Sequence, residues 1–228
     1  MRIGVIIPAL DEEAALPGTL RELAGQPIEQ VIVVDNGSTD RTSEVARAFG
    51  AEVIREPRRG YGQACLAGIA ALAPQIDVVV FVAADGSDDP AALPRLVAPI
   101  ACDEADLVLG SRVLGHAEPG ALTPSQRLGN ALATTLLRWI YALRYTDLGP
   151  FRAIRRTALD RLAMQDTGFG WTIEMQIKAA RGNLRVAEVP VPCRCRRAGQ
   201  SKISGTVSGT ACAGAKILWT VLRYRLRN

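Results

Sequence analysis

Val78-Val79-Val80-Phe81-Val82-Ala83-Ala84-Asp85-Gly86-Ser87-Asp88-Asp89-Pro90 decides how this chain folds. Its first five residues are apolar without a break, the pattern of a strand buried on both faces inside a parallel sheet. The run then ends in carboxylates and a proline. Open α/β sheets bind ligands outside the carboxyl ends of their strands. Carboxylates at such an end can hold a divalent cation, and the cation can hold phosphates. Ala83 is the odd residue, because a second acid is expected there beside Asp85.

Working outward, the flanking sequence repeats the same alternation. Ile3–Ile7, Val31–Val34, Glu52–Ile54 and Asp106–Leu109 read as further strands, and Glu12–Leu23, Asp40–Phe49, Tyr61–Leu72 and Ala91–Ile100 as the helices between them. Ser38 or Thr39 is positioned to cap the helix beginning near Asp40. Alternating strands and helices predict an α/β fold with a mostly parallel central sheet flanked by helices. The strand ends then gather Pro8–Glu12, Asp35–Asp40, Ala83–Asp89 and Gly110–Arg112 along one edge. Further on, Pro124–Arg144 has helical spacing, with Leu128, Ala131, Leu132, Thr135, Leu136, Trp139, Ile140 and Leu143 on one side and Arg127, Asn130, Thr134 and Arg138 on the other. Trp171–Arg181 reads as a helix and Leu184–Val191 as a strand. A Gly/Ser-rich segment, Gly199–Gly209, leads into a last helix ending near Arg227.

With 48% hydrophobic and 22% charged residues in 228, the chain is globular rather than disordered, and of single-domain size. No apolar run reaches the length of a bilayer span, and the opening residues read as a strand rather than a secretory signal. Five cysteines at irregular spacing favour a reducing, cytoplasmic compartment, and Cys193-Arg194-Cys195 lacks the second pair a zinc site needs. Charge is distributed unevenly. After Glu188 there is no acid, while Arg194, Arg196, Arg197, Lys202, Lys216, Arg223, Arg225 and Arg227 supply eight positive charges. That asymmetry points to a phosphate-rich or anionic-membrane partner at the C-terminal end; no nucleic-acid partner is expected. In the last helix Lys216, Arg223 and Arg227 form one stripe, beside Ile217, Leu218, Trp219, Val221, Leu222 and Leu226. Such a helix suits the cytoplasmic surface of a membrane. Packing on the domain and forming a homodimer are its alternatives.

Two loops are ambiguous taken singly. Asp35-Asn36-Gly37-Ser38-Thr39-Asp40 can bind ribose hydroxyls or a pyrimidine edge, or serve as a turn with a cap. Arg58-Arg59-Gly60-Tyr61-Gly62-Gln63 opens a helix and lets backbone approach a phosphate, but it is neither a P-loop nor a dinucleotide fingerprint.

Taken together and in order, Ile6–Glu13, Val33–Asp40, Gly60–Ala64, Ala83–Pro90 and Gly110–Arg112 resemble glycosyltransferase family 2, which implies the GT-A (nucleotide-diphospho-sugar transferase) fold. Thr146-Asp147-Leu148-Gly149-Pro150-Phe151-Arg152, Glu188-Val189-Pro190-Val191 and Gln200-Ser201-Lys202-Ile203-Ser204 are similar to the polyprenyl- or dolichol-phosphate hexosyltransferase branch. The resemblance implies a GT-A domain over 1–205 and a basic amphipathic helix over 206–228. It implies that Pro8, Leu10, Asp11, Glu12, Val34, Asp35, Asn36, Gly60, Gly62, Gln63, Ala84 and Asp85 bind the nucleotide sugar. Asp11 stands where the family usually has Asn, and Asn36 where it has Asp, so the base, uracil or guanine, stays open. The D-x-D motif falls on Ala83-Ala84-Asp85, leaving Asp85 as the ligand of Mg²⁺ or Mn²⁺. Ser87 replaces a Gln that often assists the metal.

Arg112, Arg127, Glu174, Arg196 and Lys202 are implied on the acceptor or diphosphate side, with Arg197 as an alternative to Arg196. Asp147, Arg152 and Glu174 line the sugar, and Asp85, Asp147 and Arg112 carry catalysis. The reaction implied is inverting hexosyl transfer from a UDP- or GDP-sugar to a phosphate acceptor such as a lipid phosphate. A hydroxyl acceptor instead needs a base, for which Asp147 and Glu174 are the candidates. Two further readings stand beside it. Ala83 allows a catalytically weakened nucleotide-sugar binding module. A nucleotidyltransferase shares the α/β plan but expects a basic, Gly-rich loop where Pro8–Glu12 is acidic. His116, the lone histidine, reads as an incidental loop residue.

Overall fold

The computed structural model describes residues 1–198, 216 and 219–225. Lys202, the Gly199–Gly209 segment, the proposed junction at 205/206 and much of the last helix lie outside the described residues. Seven strands form one sheet in the order β3-β2-β1-β4-β6-β5-β7. They are β1 (Ile3–Ala9), β2 (Gln30–Asp35), β3 (Glu52–Arg55), β4 (Val78–Phe81), β5 (Leu107–Ser111), β6 (Arg152–Arg155) and β7 (Val186–Pro190). Helices among the described residues include α1 (Leu16–Leu23), α2 (Thr42–Ala48), α3 (Tyr61–Ala70), α4 (Leu93–Ala101), α5 (Pro124–Tyr141), α6 (Arg156–Leu162) and α7 (Trp171–Arg181), and residues 219–225 are helical in the C-terminal helix.

Period-two alternation along continuous apolar strands divides the core into two layers. Val5, Ile7, Val33, Val80 and Val108 face one side, under α1 and α4. Ile6, Ile32, Val34, Val79, Phe81 and Leu109 face the other, under α3, α6 and α7. Trp171, fully buried at the start of α7, packs edge-on against Phe81 with centroids 4.7 Å apart. Burying such a side chain contributes about 1.5–3 kcal/mol, so α7 is fixed directly over the strand that ends in the acids.

The sheet is mostly parallel, as predicted. The exception is β6, which runs antiparallel to both β4 and β5 and pairs Arg152 with Phe81 and with Leu109. That reversal brings the loop before Arg152 to the same edge as the carboxyl ends of β4 and β5.

Three sequence expectations differ in detail. The first helix starts at Leu16 rather than Glu12, and residues 10–13 form a loop. Ser38 and Thr39 do not cap α2; Asp40 Oδ1 takes the Thr42 N–H at 2.9 Å instead. The helix from Pro124 opens on a reciprocal capping box between Thr123 and Gln126 and stops at Tyr141, where Ala142 turns left-handed (φ 58). It buries Ala133 and Leu137, while Leu128, Leu132 and Trp139 face outward.

Candidate functional site

The loops after β1 and β2 are tied to each other before any ligand arrives. Asp11, held in the left-handed region (φ 53) that Asp tolerates, accepts from Thr39 N at 2.7 Å and Thr39 Oγ1 at 3.1 Å. Its own N–H donates to Ser38 Oγ at 3.0 Å, and the Glu12 N–H to Thr42 Oγ1 at 2.8 Å. Asp35 accepts from Ser38 N at 2.8 Å and from the Ser43 hydroxyl. Burial works to raise its carboxyl, but the Ser43 and Ser38 hydrogen bonds outweigh it and hold the group below its ordinary value. Pro8 and Val34 face each other in register between the strands, with Val34 buried in the core. Leu10 is half-buried.

Asn36 pins a third loop to these two. Its Nδ2 donates to Glu56 O (3.0 Å) and Arg58 O (2.8 Å), and its Oδ1 accepts from Gly60 N at 2.8 Å. Gln63 Nε2 donates to Glu56 Oε2 at 2.9 Å. Hydrogen bonds from Arg58 and Gln63 hold the Glu56 carboxyl at about 2. The glycines here permit close backbone approach, but to the chain itself. A Cβ on Gly62 falls 2.0 Å from Asp166 O. Gly62 N and Gln63 N donate to Gly168 O (3.2 Å) and Thr167 O (2.9 Å), so these two N–H groups are already engaged.

The acids after β4 lie beneath a strap, residues 193–197, that follows β7. Strap and loop run side by side, with Arg194 N on Ser87 O at 2.9 Å and Arg197 N on Asp85 O at 3.0 Å. Asp85 Oδ1 accepts from Ser87 N (3.0 Å) and Ser87 Oγ (2.6 Å), and Asp85 Oδ2 pairs with Arg196 Nη2 at 3.0 Å. Arg196 Nη1 reaches Glu12 at 2.8 Å. Arg194 joins Glu22 (2.9 Å) to Asp89 (2.7 Å), and Arg197 also meets Glu22. The buried Ala84 accepts Thr19 Oγ1 on its carbonyl at 3.2 Å.

Asp88 is buried under Ala83, accepting its N–H at 2.8 Å. Burial is the main cause that pushes the Asp88 carboxyl up to about 7. A carboxyl raised in the fold takes up a proton on folding between its unfolded and folded values. Its penalty on stability therefore grows as pH rises from about 4 to 7 and is complete above 7. Asp88→Asn should raise Tm at pH 8 by about 3 °C or more, with a smaller gain at pH 5. Equal gains at both pH values in thermal melts would contradict this reading.

The loop that β6 brings to this edge is held from every side. Asp147, almost fully buried, clamps Arg112 with Nε and Nη2 each at 2.7 Å and also takes the Arg112 N–H at 2.8 Å. Glu188 accepts from Thr146 N at 2.9 Å, Asn130 accepts from Leu148 N at 3.0 Å, and Gln176 donates to Asp147 O at 3.1 Å. Burial tends to raise the Asp147 carboxyl, but Arg112 prevails and keeps it below the ordinary range.

Not every predicted residue joins this cluster. Arg152 does not line a cavity; it is fully buried and holds the Gly149 and Thr172 carbonyls. Glu174 is also fully buried, taking Asp166 N at 2.6 Å, Tyr224 Oη at 2.6 Å and Lys178 at 2.8 Å. Arg127 is exposed on the first turn of α5, with Nε 3.4 Å from Leu122 O. His116 is an exposed loop residue. Glu56, Ser43 and Arg194 are structural members of the site that sequence reasoning did not select.

Among the described residues no group of three or more His, Cys, Asp or Glu side chains could hold a metal. Asp85 is a single hard oxygen donor at a strand end. It fits Mg²⁺ or Mn²⁺ only in company with water and the oxygens of a bound diphosphate.

Parallel strands with a reversed β6, acids after β4 and linked loops after β1 and β2 make this a GT-A-type fold. The chain belongs to glycosyl transferase family 2, whose family model matches residues 4–163. It is 40% identical to an uncharacterized glycosyltransferase of Mycobacterium tuberculosis over 92% of this chain and 94% of that one. It is 33% identical to an undecaprenyl-phosphate mannosyltransferase of Micrococcus luteus over 99% of both chains. A dolichyl-phosphate hexose transferase of Haloferax volcanii is also 33% identical, over 99% of this chain and 96% of that one. Among solved structures, it superposes with a TM-score of 0.79 on glucosyl-3-phosphoglycerate synthase of Mycobacterium tuberculosis in complex with Mn²⁺, UDP-glucose and phosphoglyceric acid. That match has 25% identity and covers 98% of this chain and 79% of that one.

Proposed function

We propose that this glycosyltransferase transfers a hexosyl group, with inversion, from a UDP- or GDP-sugar to a polyprenyl phosphate. The observation that carries the acceptor class is that both carboxylates a hydroxyl acceptor would need as base are committed. Asp147 is held ionised on Arg112, and Glu174 is sealed inside among its donors. A phosphate acceptor is already anionic near neutral pH and needs no strong base. Two relatives named for transfer to undecaprenyl and dolichyl phosphate support the same class.

On this reading the loops of Pro8–Glu12 and Asp35–Asn36 hold the nucleoside, and Asp85 faces the diphosphate. The structural match solved with Mn²⁺ and UDP-glucose supports a nucleotide-sugar donor and a divalent cation here. A bound Mg²⁺ or Mn²⁺ supplies charge neutralisation of the leaving diphosphate. Asp147 fixes two nitrogens of Arg112 and leaves the third, Nη1, without a partner among the described residues. That edge orients an acceptor phosphate oxygen. The oxygen attacks the anomeric carbon as the bond to the diphosphate breaks, and nucleoside diphosphate leaves. Arg127 adds positive charge on the acceptor side. Ala83 favours a second reading, a nucleotide-sugar binding module with little turnover. The test is transfer of labelled sugar from UDP- and GDP-hexoses, with each metal, to a polyprenyl phosphate; binding without transfer selects the module.

A lipid acceptor also accounts for an unusual surface. No helix among the described residues is long and apolar enough to cross a membrane. Yet Leu128, Leu132 and Trp139 on α5, and Trp219 and Leu222 on the C-terminal helix, are exposed. The two helices pack through Ala133, Leu137, Val221 and Tyr224, and Tyr141 Oη donates to Val221 O at 2.6 Å. α5 contains no acid, and Arg127, Arg138 and Arg225 are exposed beside it. Apolar residues among arginines complement an anionic lipid surface, whereas a second copy would set like charges face to face. Leu132→Ser with Trp139→Ser should lower co-sedimentation with phosphatidylglycerol vesicles by about fivefold or more while donor binding stays unchanged. Undiminished co-sedimentation would remove this face as the contact.

A further inference from the structure

We infer that Arg196 is the built-in counter-ion of Asp85 and Glu12, and that a divalent cation reaches Asp85 by exchanging with this guanidinium. This rests on the donor-site reading above. One planar fork spans two carboxylates from different strand ends, Nη1 on Glu12 at 2.8 Å and Nη2 on Asp85 at 3.0 Å. The three side chains are largely shielded, 22%, 8% and 18% exposed for Arg196, Glu12 and Asp85, so solvent screens the contact only in part. The other oxygen of Asp85 is occupied by Ser87. A cation joining this carboxylate meets a positive charge already seated on Oδ2, and Arg196 is the partner whose charge competes with it.

The strap is built to let that side chain move without being released. Its backbone is fastened at Arg194 N and Arg197 N, and through the bridge between Asp88 and Cys193. Arg194 separately anchors it to Glu22 and Asp89. Arg196 can swing off the acids while its Cα stays over the site, which places a freed bidentate donor beside an arriving diphosphate. Ala83 bears on the balance. A second acid there would favour a divalent ion; without it, a monovalent guanidinium competes effectively. Metal and nucleoside diphosphate are thereby made to bind together, the diphosphate supplying ligands to the metal and a new partner to Arg196.

Direct Mn²⁺ binding, followed by the resonance signal of free Mn²⁺ with and without UDP or GDP, tests this on the full chain. The wild type should bind Mn²⁺ weakly alone and more tightly with one of the nucleotides. Arg196→Gln should bind Mn²⁺ alone about tenfold more tightly, with a smaller gain from nucleotide. Arg196→Lys, a point charge that bridges two carboxylates poorly, should fall between and serves if the first variant does not fold. If Asp85→Asn weakens Mn²⁺ binding but neither Arg196 variant tightens it, the exchange is overturned and the donor-site reading stands. If Asp85→Asn has no effect, both fail.

Discussion

Asp85→Asn should lower metal-dependent turnover by about two orders of magnitude or more. The substitution keeps an oxygen that can accept from Ser87 and removes the charge that faces Arg196. Little else depends on that charge for folding, because Asp85 lies beyond the end of β4 rather than within its buried run. Thermal stability should therefore change by only a few degrees while turnover collapses. The missing acid at Ala83 makes the effect larger, since no neighbouring D-x-D carboxylate remains to take over. Turnover unchanged with either Mg²⁺ or Mn²⁺ would remove Asp85 as the metal ligand.

Asp147→Ala should cost about 3 kcal/mol of stability, a fall in Tm of about 6–12 °C for a chain this size. The carboxylate is 1% exposed and the Arg112 side chain 20%, so removing the acid leaves a shielded guanidinium and the Arg112 backbone N–H without their acceptor, while Leu148 N–H keeps Asn130 Oδ1. Arg112→Met with Asp147→Leu should recover most of the stability, because an apolar pair leaves no unpaired charge, yet it should show no transfer. The folded-state pKa of Asp147 lies below its ordinary value. Its stabilising contribution is thus present above about pH 4 and lost as pH falls through the folded value. A single variant that melts with the wild type, or a double variant that still transfers sugar, would contradict the clamp.

The sequence made the central strands plain because Val78–Val82 and its counterparts are apolar on both faces, and because their ends are acidic. It concealed β6. Arg152-Ala153-Ile154-Arg155 is four residues with an arginine at each end, and Arg152 is buried by donating to carbonyls rather than by being apolar. The orientation of α5 was hidden for a different reason. Its spacing puts Leu128 and Trp139 on the apolar side, but Ala133 and Leu137, around the helix from them, are the residues that go inward. At the site, Glu12, Asp35 and Asp85 were legible as acids directly after strands. Glu56 and Arg194 were not, since only the folded loops bring them to Gln63 and Asp89. Asp11, which departs from the family's usual Asn, keeps its place through hydrogen bonds that an amide oxygen can also accept, whereas Asn36 donates through Nδ2 to two carbonyls, which an ionised Asp cannot do.

The most direct measurement is the partition of labelled hexose after incubation with a UDP- or GDP-sugar, a divalent cation and undecaprenyl phosphate. Label should pass into the organic phase only when cation and lipid phosphate are both present, with release of nucleoside diphosphate in equal amount. Label that stays in water with every UDP- and GDP-hexose, or that moves instead to a soluble hydroxyl acceptor, would contradict the assignment.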